Sequence, residues 1–287
     1  MSIQLIVDGG ADLPKGFAEK FNIKVVPLNL HFTDGTYKAG VDIGIDEFYD
    51  KMKEELPKTS ASSPNEFYEV FKEVDPNVPI LTFCISKNIS ATYQSAVIAK
   101  DMILEEIPDR QIEIINTKTA SAGVALLVNE AIKMKLNEIH FSDLVQQMKD
   151  YVERTATLFS LKTVENLIKG GRLDRVRGAI AKTLNIKLLM KASVDGEIEV
   201  TEKVRGEKKA LNRLIEQISD YTKTLKNKTI ALAHSNCEDK AKSILAKIKE
   251  KYHSKEELLI DMGPLIATYA GEGGIVISFL DDSDQKA

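Results

Sequence analysis

The chain contains few of the residues that build metal sites and disulfide frameworks. Its 287 residues include two cysteines, Cys84 and Cys237, which stand far apart and form no CxxC pair. We interpret both as buried, inert thiols, because a lone cysteine in a globular chain usually packs like a small apolar residue. The histidines show no HExxH or other metal-binding spacing, and they are His31, His140, His234 and His253. No metal site is therefore expected.

Long apolar runs are also missing. No segment approaches the roughly 20 apolar residues of a membrane-spanning helix, and no signal peptide precedes the first apolar run at Ile3. Basic residues are scattered and the net charge is −4, so the basic footprint of a nucleic-acid-binding protein is absent. We expect a cytoplasmic protein with no nucleic-acid partner and no integral membrane segment, although transient contact with a membrane surface stays open.

Short apolar segments alternate with helical patterns over the first half of the chain. "IQLIVD", "VPILTFCIS" and "IEIINT" read as strands, and each precedes a segment with helical spacing. This alternation indicates βαβ units and a mainly parallel sheet. The pattern changes near residue 155, and Asp195-Gly196 then predicts a hairpin with a type I′ turn. We predict a two-domain α/β protein, with a parallel-sheet domain over residues 1–155 and a mixed-sheet domain over residues 156–287.

Further helices are predicted in the second half. A short helix ends at Gly170-Gly171, a second runs through Ala181, and a long helix covers residues 207–224. The densest basic run lies between the first two of these helices, at 169–177. Its charges are expected to face solvent, either as a solvated surface or as a contact with a partner protein.

The segment from Lys58 to Pro64 is unusually rich in hydroxyl residues. Ser63, followed by Pro64 and Glu66, matches a capping box that starts a helix. Thr59 and Ser60 lie upstream of that cap, so helix initiation does not explain them. No histidine or carboxylate stands beside them in the sequence to activate a hydroxyl.

Polar residues also follow each predicted strand of the first half. In a parallel α/β sheet these positions share one edge, where helix N-termini favour anions. A rim of hydroxyls and amides donates hydrogen bonds and does not abstract protons. Ser90 is the sharpest candidate, with a plain helix cap as its alternative interpretation. The rim residues are Asp8, Gly9, Gly10, Asp12, Ser86, Asn88, Ser90, Thr92, Asn116, Thr117, Thr119 and Ser121.

Several segments in the same order resemble the DegV family of bacterial fatty-acid-binding proteins over essentially the whole chain. They are "VDGGADLP", "TSASSP", "SKNISATYQSA", "LKTVENLIKGGRLDR", "VRGEKKAL" and "GPLIATYAGEGG". The resemblance implies two α/β domains with a long-chain fatty acid between them, its carboxyl group held by hydroxyls, and neither cofactor nor catalytic residue. Thr59 and Ser90 are then the main carboxyl ligands, with Ser60, Thr92, Arg205 and Tyr269 beside them.

Some members of that family are the acyl-carrying subunit of a bacterial fatty acid kinase, so a separate kinase subunit is the implied partner. This chain departs from the usual motifs at Gly9, at Lys87-Asn88-Ile89 with Ala91, and at Tyr269, where the family often has histidine. Tyrosine still donates a hydrogen bond but does not support the same proton chemistry. We expect lipid binding to survive these changes, which bear instead on acyl phosphorylation.

Two other functions stay open. One is a hydrolase or phosphotransferase that uses Asp8, Asp12 and a hydroxyl nucleophile, although no GxSxG elbow and no phosphate-binding loop occurs. Asp8 and Asp12 are more simply interpreted as turn and cap residues. The other is a regulator that senses a fatty acid and docks a partner through the basic run. The missing base beside Thr59 or Ser90 favours a carrier over an enzyme.

Overall fold

The computed structural model describes residues 2–173 and 185–282, and this part of the chain forms three β-sheets. The predicted helix through Ala181, and with it Arg175 and Arg177, lies outside the described residues. The described helices are α1 (Phe17–Phe21), α2 (Ile45–Glu54), α3 (Pro64–Lys72), α4 (Thr92–Glu106), α5 (Ala122–Leu136), α6 (Phe141–Arg154), α7 (Glu165–Lys169), α8 (Glu207–Glu216), α9 (Glu238–Tyr252) and α10 (Pro264–Ala270).

The N-terminal half contains the predicted parallel sheet. Its strand order is β2-β1-β6-β7, and the strands are β1 (Gln4–Asp8), β2 (Lys24–Val26), β6 (Ile80–Cys84) and β7 (Ile112–Asn116). Every neighbouring pair is parallel. All residues of β1 and β6 are buried, as expected for central strands covered by helices on both faces.

A small antiparallel sheet follows, with β3 (Asn29–Phe32) between β4 (Gly35–Lys38) and β5 (Lys58–Ser60). The apolar run "KVVPLNLHF" divides at Pro27 into β2 and β3, which belong to different sheets. Proline has no N–H to donate to a ladder, so the break falls there. In the β3–β5 ladder, Leu30 pairs with Thr59 and Asn29 with Ser60.

The C-terminal half contains the predicted mixed sheet, in the order β10-β9-β8-β13-β11-β12. Within it only β11 and β12 pair in parallel, and the other neighbours are antiparallel. The strands are β8 (Thr155–Ser160), β9 (Ile186–Ala192), β10 (Ile198–Arg205), β11 (Thr229–His234), β12 (Glu256–Asp261) and β13 (Ile275–Leu280).

Two local predictions in this half were wrong in detail. The β9–β10 hairpin does not use a type I′ turn, because Gly196 (φ 80°) has positive φ and Asp195 does not. Ser193 and Glu197 instead close a three-residue loop with glycine at the left-handed position. The helix predicted over 207–224 ends at Glu216 and continues as a 3-10 helix only to Asp220.

Helix α5 carries the structural link between the halves. It is buried along most of its length, including every residue from Ala122 to Asn129. It packs against β6 of the parallel sheet and against β8, β11 and β13 of the mixed sheet. One hydrophobic cluster accordingly joins Leu5, Val124 and Val276. The predicted α/β class, with a parallel and a mixed sheet, is confirmed, and the boundary at residue 155 stays a prediction.

Candidate functional site

A cavity of about 900 Å³, including the part open to solvent, lies between the carboxyl edge of the parallel sheet and the mixed sheet. That edge is where ligands bind in parallel α/β sheets, and the size is typical of a small-molecule site. Most of the wall is apolar, with Leu28, Ile85, Phe159, Leu161, Leu167, Leu265 and Val276 among its residues. The hydroxyl and charged side chains of the wall are Thr59, Ser60, Ser90, Thr119, Ser121, Thr157, Arg172, Glu197 and Tyr269.

Thr59 and Tyr269 meet at this cavity. Thr59 pairs with the fully buried Leu30 across the β3–β5 ladder, so its side chain points toward the core. Tyr269 lies near the end of α10, and its hydroxyl shares a hydrogen bond with the Thr59 hydroxyl. The structure thus brings together two predicted site residues from opposite ends of the chain.

Ser60 occupies the cavity wall, but its hydroxyl points to the other face of β5. Successive strand residues face opposite sides, and the Ser60 hydroxyl lies 2.8 Å from Nε2 of His31 on β3. Nδ1 of the same imidazole lies 2.9 Å from the Thr36 hydroxyl. His31 is distant from Ser60 in the sequence, and the pairing of β3 with β5 brings its imidazole beside the Ser60 hydroxyl. The sequence separation of β3 and β5 concealed this contact.

Ser90 and Thr92 form the entry to α4. The Ser90 hydroxyl lies 2.7 Å from the Thr92 hydroxyl and accepts the Thr92 N–H at 3.3 Å. Thr92 is fully buried and contacts the Ser90 hydroxyl from the side away from the cavity. Ser90 itself lines the cavity. The plain-cap interpretation of Ser90 does not hold, because the N-cap of α4 is Ala91, without a side-chain capping bond, whereas Ser90 lies one residue earlier and lines the cavity.

Arg172 is the site residue that sequence reasoning missed. It was expected to face solvent with the basic run, but it lines the cavity. Its guanidinium lies 5.1 Å from the centre of the Tyr269 ring, Nη1 donates to the Gly170 carbonyl at 2.6 Å, and Nε donates to the Ile89 carbonyl at 3.3 Å. The doublet Gly170-Gly171 signalled only a helix stop, although a Cβ at Gly170 would lie 2.5 Å from the Tyr269 ring.

Arg205 is not brought to this cavity. Ile198 at the start of β10 lines the wall, and Arg205 ends the same strand with an exposed side chain. At about 3.3 Å per residue the two lie roughly 20 Å apart. The geometry gives no support to the expected assistance of Arg205 at a carboxyl group.

Asp8 and Asp12 are buried beside the cavity and are not part of its wall. Asp8 accepts the N–H groups of Gly10 and Ile85 at 2.9 and 2.8 Å. Asp12 accepts the Gly263 N–H at 2.8 Å and the Ser121 hydroxyl at 2.5 Å. Burial raises the pKa of each carboxyl group to about 7. The bond from Gly10 matches the predicted turn role of Asp8, whereas Asp12 caps no helix and instead joins two segments that are distant in the sequence.

Two further findings concern the described residues as a whole. No group of three or more histidine, cysteine or acidic side chains within residues 2–173 and 185–282 is placed to bind a metal ion. In the same part of the chain, each helix is too short or too polar to cross a bilayer.

The fold and the cavity define a class of α/β protein in which an apolar chamber with a hydroxyl-lined end lies between a parallel and a mixed sheet. A family model described as "Uncharacterised protein, DegV family" matches residues 2–282. The chain belongs to the DegV family. A DegV domain-containing protein of Clostridium perfringens is 30% identical over 285 residues, which cover 98% of each chain.

Solved structures of similar proteins extend the comparison. A DegV family protein from Ruminococcus gnavus, in a structure with vaccenic acid, is 29% identical, with a TM-score of 0.91 over 97% of this chain and 99% of that one. The Streptococcus pneumoniae Fatty Acid Kinase (Fak) B3 protein, loaded with linoleic acid, is 27% identical, with a TM-score of 0.87 over 98% of this chain and 100% of that one.

Proposed function

We propose that this chain binds one long-chain fatty acid in the cavity, with the carboxyl group beside Thr59, Ser90 and Tyr269. One continuous set of contacts carries the proposal: Thr59 bonds Tyr269, whose ring lies under Arg172. Arg172 in turn donates to Ile89, the neighbour of Ser90. Donors and a cation therefore gather in one part of a chamber whose wall is mostly apolar. The ligands in the two similar structures support the same assignment.

The two parts of such a ligand meet different walls. Burying an alkyl chain contributes about 0.8 kcal/mol per methylene group, so the apolar wall supplies most of the affinity. A hydrogen bond to a charged group contributes about 1.5–3 kcal/mol, and the bonds at Thr59 and Ser90 fix where the carboxyl group lies. Arg172 adds a positive charge beside the expected carboxylate. The acyl chain then runs along Ile85, Phe159 and Val276.

We infer further that the chain presents this carboxyl group to a separate ATP-using kinase subunit. The name and ligand of the Streptococcus pneumoniae relative support this step. In this proposal the chain is the non-catalytic subunit of the kinase reaction, and the described site offers no phosphate-binding loop. A regulator that only senses the fatty acid would use the same cavity. Formation of acyl phosphate by the kinase subunit distinguishes the carrier from such a regulator.

Native mass spectrometry of the purified protein tests lipid binding directly. We expect a co-purified mass that matches a long-chain fatty acid and exchanges with added acid. The loaded protein is then mixed with a bacterial fatty acid kinase subunit and ATP, and acyl phosphate is trapped with hydroxylamine. Protein that carries no lipid and takes up none would overturn the proposal. Lipid binding without acyl phosphate would leave the sensing role in its place.

A further inference from the structure

Ser121 has an unusual backbone conformation at the cavity wall. It has φ 56° and ψ −126°, although it is neither glycine nor asparagine. Positive φ is uncommon for a residue with a side chain, and such strain persists only where surrounding contacts impose it. Here the Ser121 N–H donates to the Gly10 carbonyl at 2.8 Å. The conformation is thus held by the loop after β1.

The residues on either side of Ser121 fit its positive φ. Ser121 lies between β7 and α5, in Thr119-Ala120-Ser121-Ala122-Gly123. A Cβ at Gly123 would lie 2.2 Å from the Thr119 hydroxyl oxygen, so only glycine fits two positions after the serine. A serine on a sharp, strained strand-to-helix turn, with glycine two residues later, is the arrangement that exposes a nucleophile in α/β hydrolases. Threonine replaces the first glycine of that motif, so a motif search misses it.

Asp12 is placed as a base for this serine. The Ser121 hydroxyl donates to Oδ2 of Asp12 at 2.5 Å, and Oδ1 accepts the Gly263 N–H at 2.8 Å. Asp12 is only 4% exposed, and burial, with a smaller contribution from nearby Asp8, raises its pKa to about 7. A general base works best when its pKa lies near the working pH.

A hydrogen-bond donor that can stabilise an oxyanion lies next to the Ser121 hydroxyl. Ala122 is the first residue of α5, and the described part of the chain supplies no acceptor for its N–H. The N–H after a nucleophilic serine is a usual oxyanion donor, and the helix N-terminus adds partial positive charge. Ser121 itself lines the apolar cavity. An acyl chain in the cavity can therefore place a carbonyl group between the serine and this donor.

We propose that Ser121 and Asp12 form a nucleophile–base pair that accepts a long-chain acyl group from an ester or thioester in the cavity. This activity rests on the proposed function only in that the acyl chain occupies the same apolar cavity. In the first step the Ser121 oxygen bonds to the acyl carbon, its proton passes to Asp12, and the oxyanion faces Ala122 N–H. The C–O or C–S bond then breaks, and the leaving alcohol or thiol takes the proton from Asp12.

Water completes the reaction. Asp12 takes one proton from the water, the resulting hydroxide oxygen bonds to the acyl carbon, and the Ser121 oxygen leaves and recovers the proton. The products are free Ser121 and a free fatty acid, and the reaction needs no oxidant and no substrate besides water and the ester or thioester. The product is the ligand of the proposed carrier.

Ser121, where an ester would be cleaved, and Thr59, where the carboxyl group of a fatty acid would lie, are separate points on the wall. Gly263 at the start of α10 binds Asp12, and Tyr269 near its end binds Thr59. At 1.5 Å per helical residue, Gly263 and Tyr269 lie roughly 9 Å apart along the axis of α10. A fatty acid with its carboxyl group at Thr59 thus passes Ser121 with its alkyl chain, whereas an ester substrate extends its leaving group from Ser121 toward Thr59.

A fluorophosphonate with a long alkyl chain tests the pair on the full-length protein, because it phosphonylates activated serines and releases fluoride. We expect a single adduct by intact mass, mapped to Ser121 by peptide sequencing and blocked by excess oleic acid. Release of nitrophenol from 4-nitrophenyl decanoate should follow the same pattern. Asp12→Asn should slow both reactions by about a hundredfold or more, as loss of a general base does.

Ser121→Gly is the decisive variant, because glycine accepts the positive φ without strain. Ser278→Ala is the matched control, since it removes another buried hydroxyl. Ser121→Gly should abolish adduct and hydrolysis while native mass spectrometry still finds bound fatty acid. For the wild type, labelling should rise from about pH 6 to about pH 8 as Asp12 loses its proton, with Asp8 and Tyr49 the titratable groups that face it. No adduct in the wild type, or an unchanged adduct in Ser121→Gly, overturns the proposal.

Discussion

Thr59 and Tyr269 lie 210 residues apart in the chain, and their hydroxyl groups share a hydrogen bond across the cavity. Each hydroxyl carries one proton. One proton is used between the two residues, so the pair offers a single remaining donor to a ligand. A carboxylate at this end therefore needs Ser90 and Arg172 as well, and all four side chains line the same wall.

The first prediction concerns Thr59 and Ser90 together. Replacing both with alanine should weaken binding of a long-chain fatty acid by about 2–4 kcal/mol, because each lost bond leaves a poorly solvated carboxylate oxygen. The apolar wall is unchanged, so a matched fatty alcohol should lose less. Isothermal titration calorimetry with delipidated protein measures both affinities.

Ser60→Ala is the matched control for that double variant. It removes a hydroxyl from the same strand, but this hydroxyl contacts His31 on the opposite face of β5. Acid binding should stay within about threefold of the wild type, equivalent to roughly 0.6 kcal/mol. If acid and alcohol respond equally to the double variant, Thr59 and Ser90 serve the fold and not the ligand.

The second prediction separates two arginines. Arg172→Gln removes the cation that lies over Tyr269 and should weaken acid binding by about 1–3 kcal/mol, with little effect on the alcohol. Arg205→Gln removes an exposed arginine at the far end of β10 and should change neither affinity. Fluorescence displacement with a labelled fatty acid compares the variants at one pH. An acid affinity that depends on Arg205 and not on Arg172 would mean that the carboxyl group lies elsewhere.

Local sequence signals predicted much of the fold. The capping box of Ser63 and Glu66 is present, because both partners lie within one helical turn. The alternation of strands and helices indicated the parallel sheet for a similar reason, since each βαβ unit is contiguous in the chain. The hydroxyl rim predicted Ser90 and Ser121 at the cavity, because parallel strands end at one edge.

Features that depend on contacts between distant segments of the chain could not be predicted from the sequence. The direction of the Ser60 hydroxyl follows from the register of β5 against β3, which no local pattern encodes. Arg172 reaches the cavity through contacts with Ile89 and Tyr269, so its role emerges only when α4, α7 and α10 are assembled. Arg205 was assigned to the site by resemblance alone. It is the last residue of β10, and the length of that strand separates it from the cavity wall.

The third prediction concerns Asp8 and the pH dependence of stability. Its folded pKa of about 7 lies above the usual value of 3.8, because burial disfavours the charged form. The folded state therefore holds a proton that the unfolded chain releases near pH 4, and stability falls as pH rises through about 7. Relative to Asp8→Asn, the wild type should lose about 2–3 kcal/mol of unfolding free energy between pH 5 and pH 7. Urea denaturation at several pH values measures this change.

Asp101→Asn is the control, since Asp101 is exposed on α4. The control should follow the wild type at every pH. Asp8→Asn carries a constant offset as well, because Asp8 accepts two N–H groups and asparagine has one acceptor oxygen. Only the change with pH therefore reports the titration. Parallel curves for wild type and Asp8→Asn would show that the carboxyl group titrates near its ordinary value.

The fourth prediction concerns Gly196, which closes the β9–β10 loop over the cavity. It has φ 80°, and a Cβ there would lie 2.3 Å from the Ser86 hydroxyl and 2.8 Å from Lys118 Cα. Gly16 has nearly the same φ, 73°, and a Cβ there would meet no atom within 4 Å. Alanine at Gly16 should cost about 1–2 kcal/mol of stability, the cost of the left-handed conformation alone.

Alanine at Gly196 adds a clash to that conformational cost, so we expect a loss of about 3 kcal/mol or more in urea unfolding. The clash also displaces the loop, which Asn88 holds by donating to the Asp195 carbonyl at 2.7 Å. Because Gly196 and Ile198 both line the cavity, release of a bound fatty acid to vesicles should accelerate in Gly196→Ala and stay unchanged in Gly16→Ala. Equal stability losses and equal release rates for the two variants would show that the loop does not close the cavity, since only the clash distinguishes the two glycines.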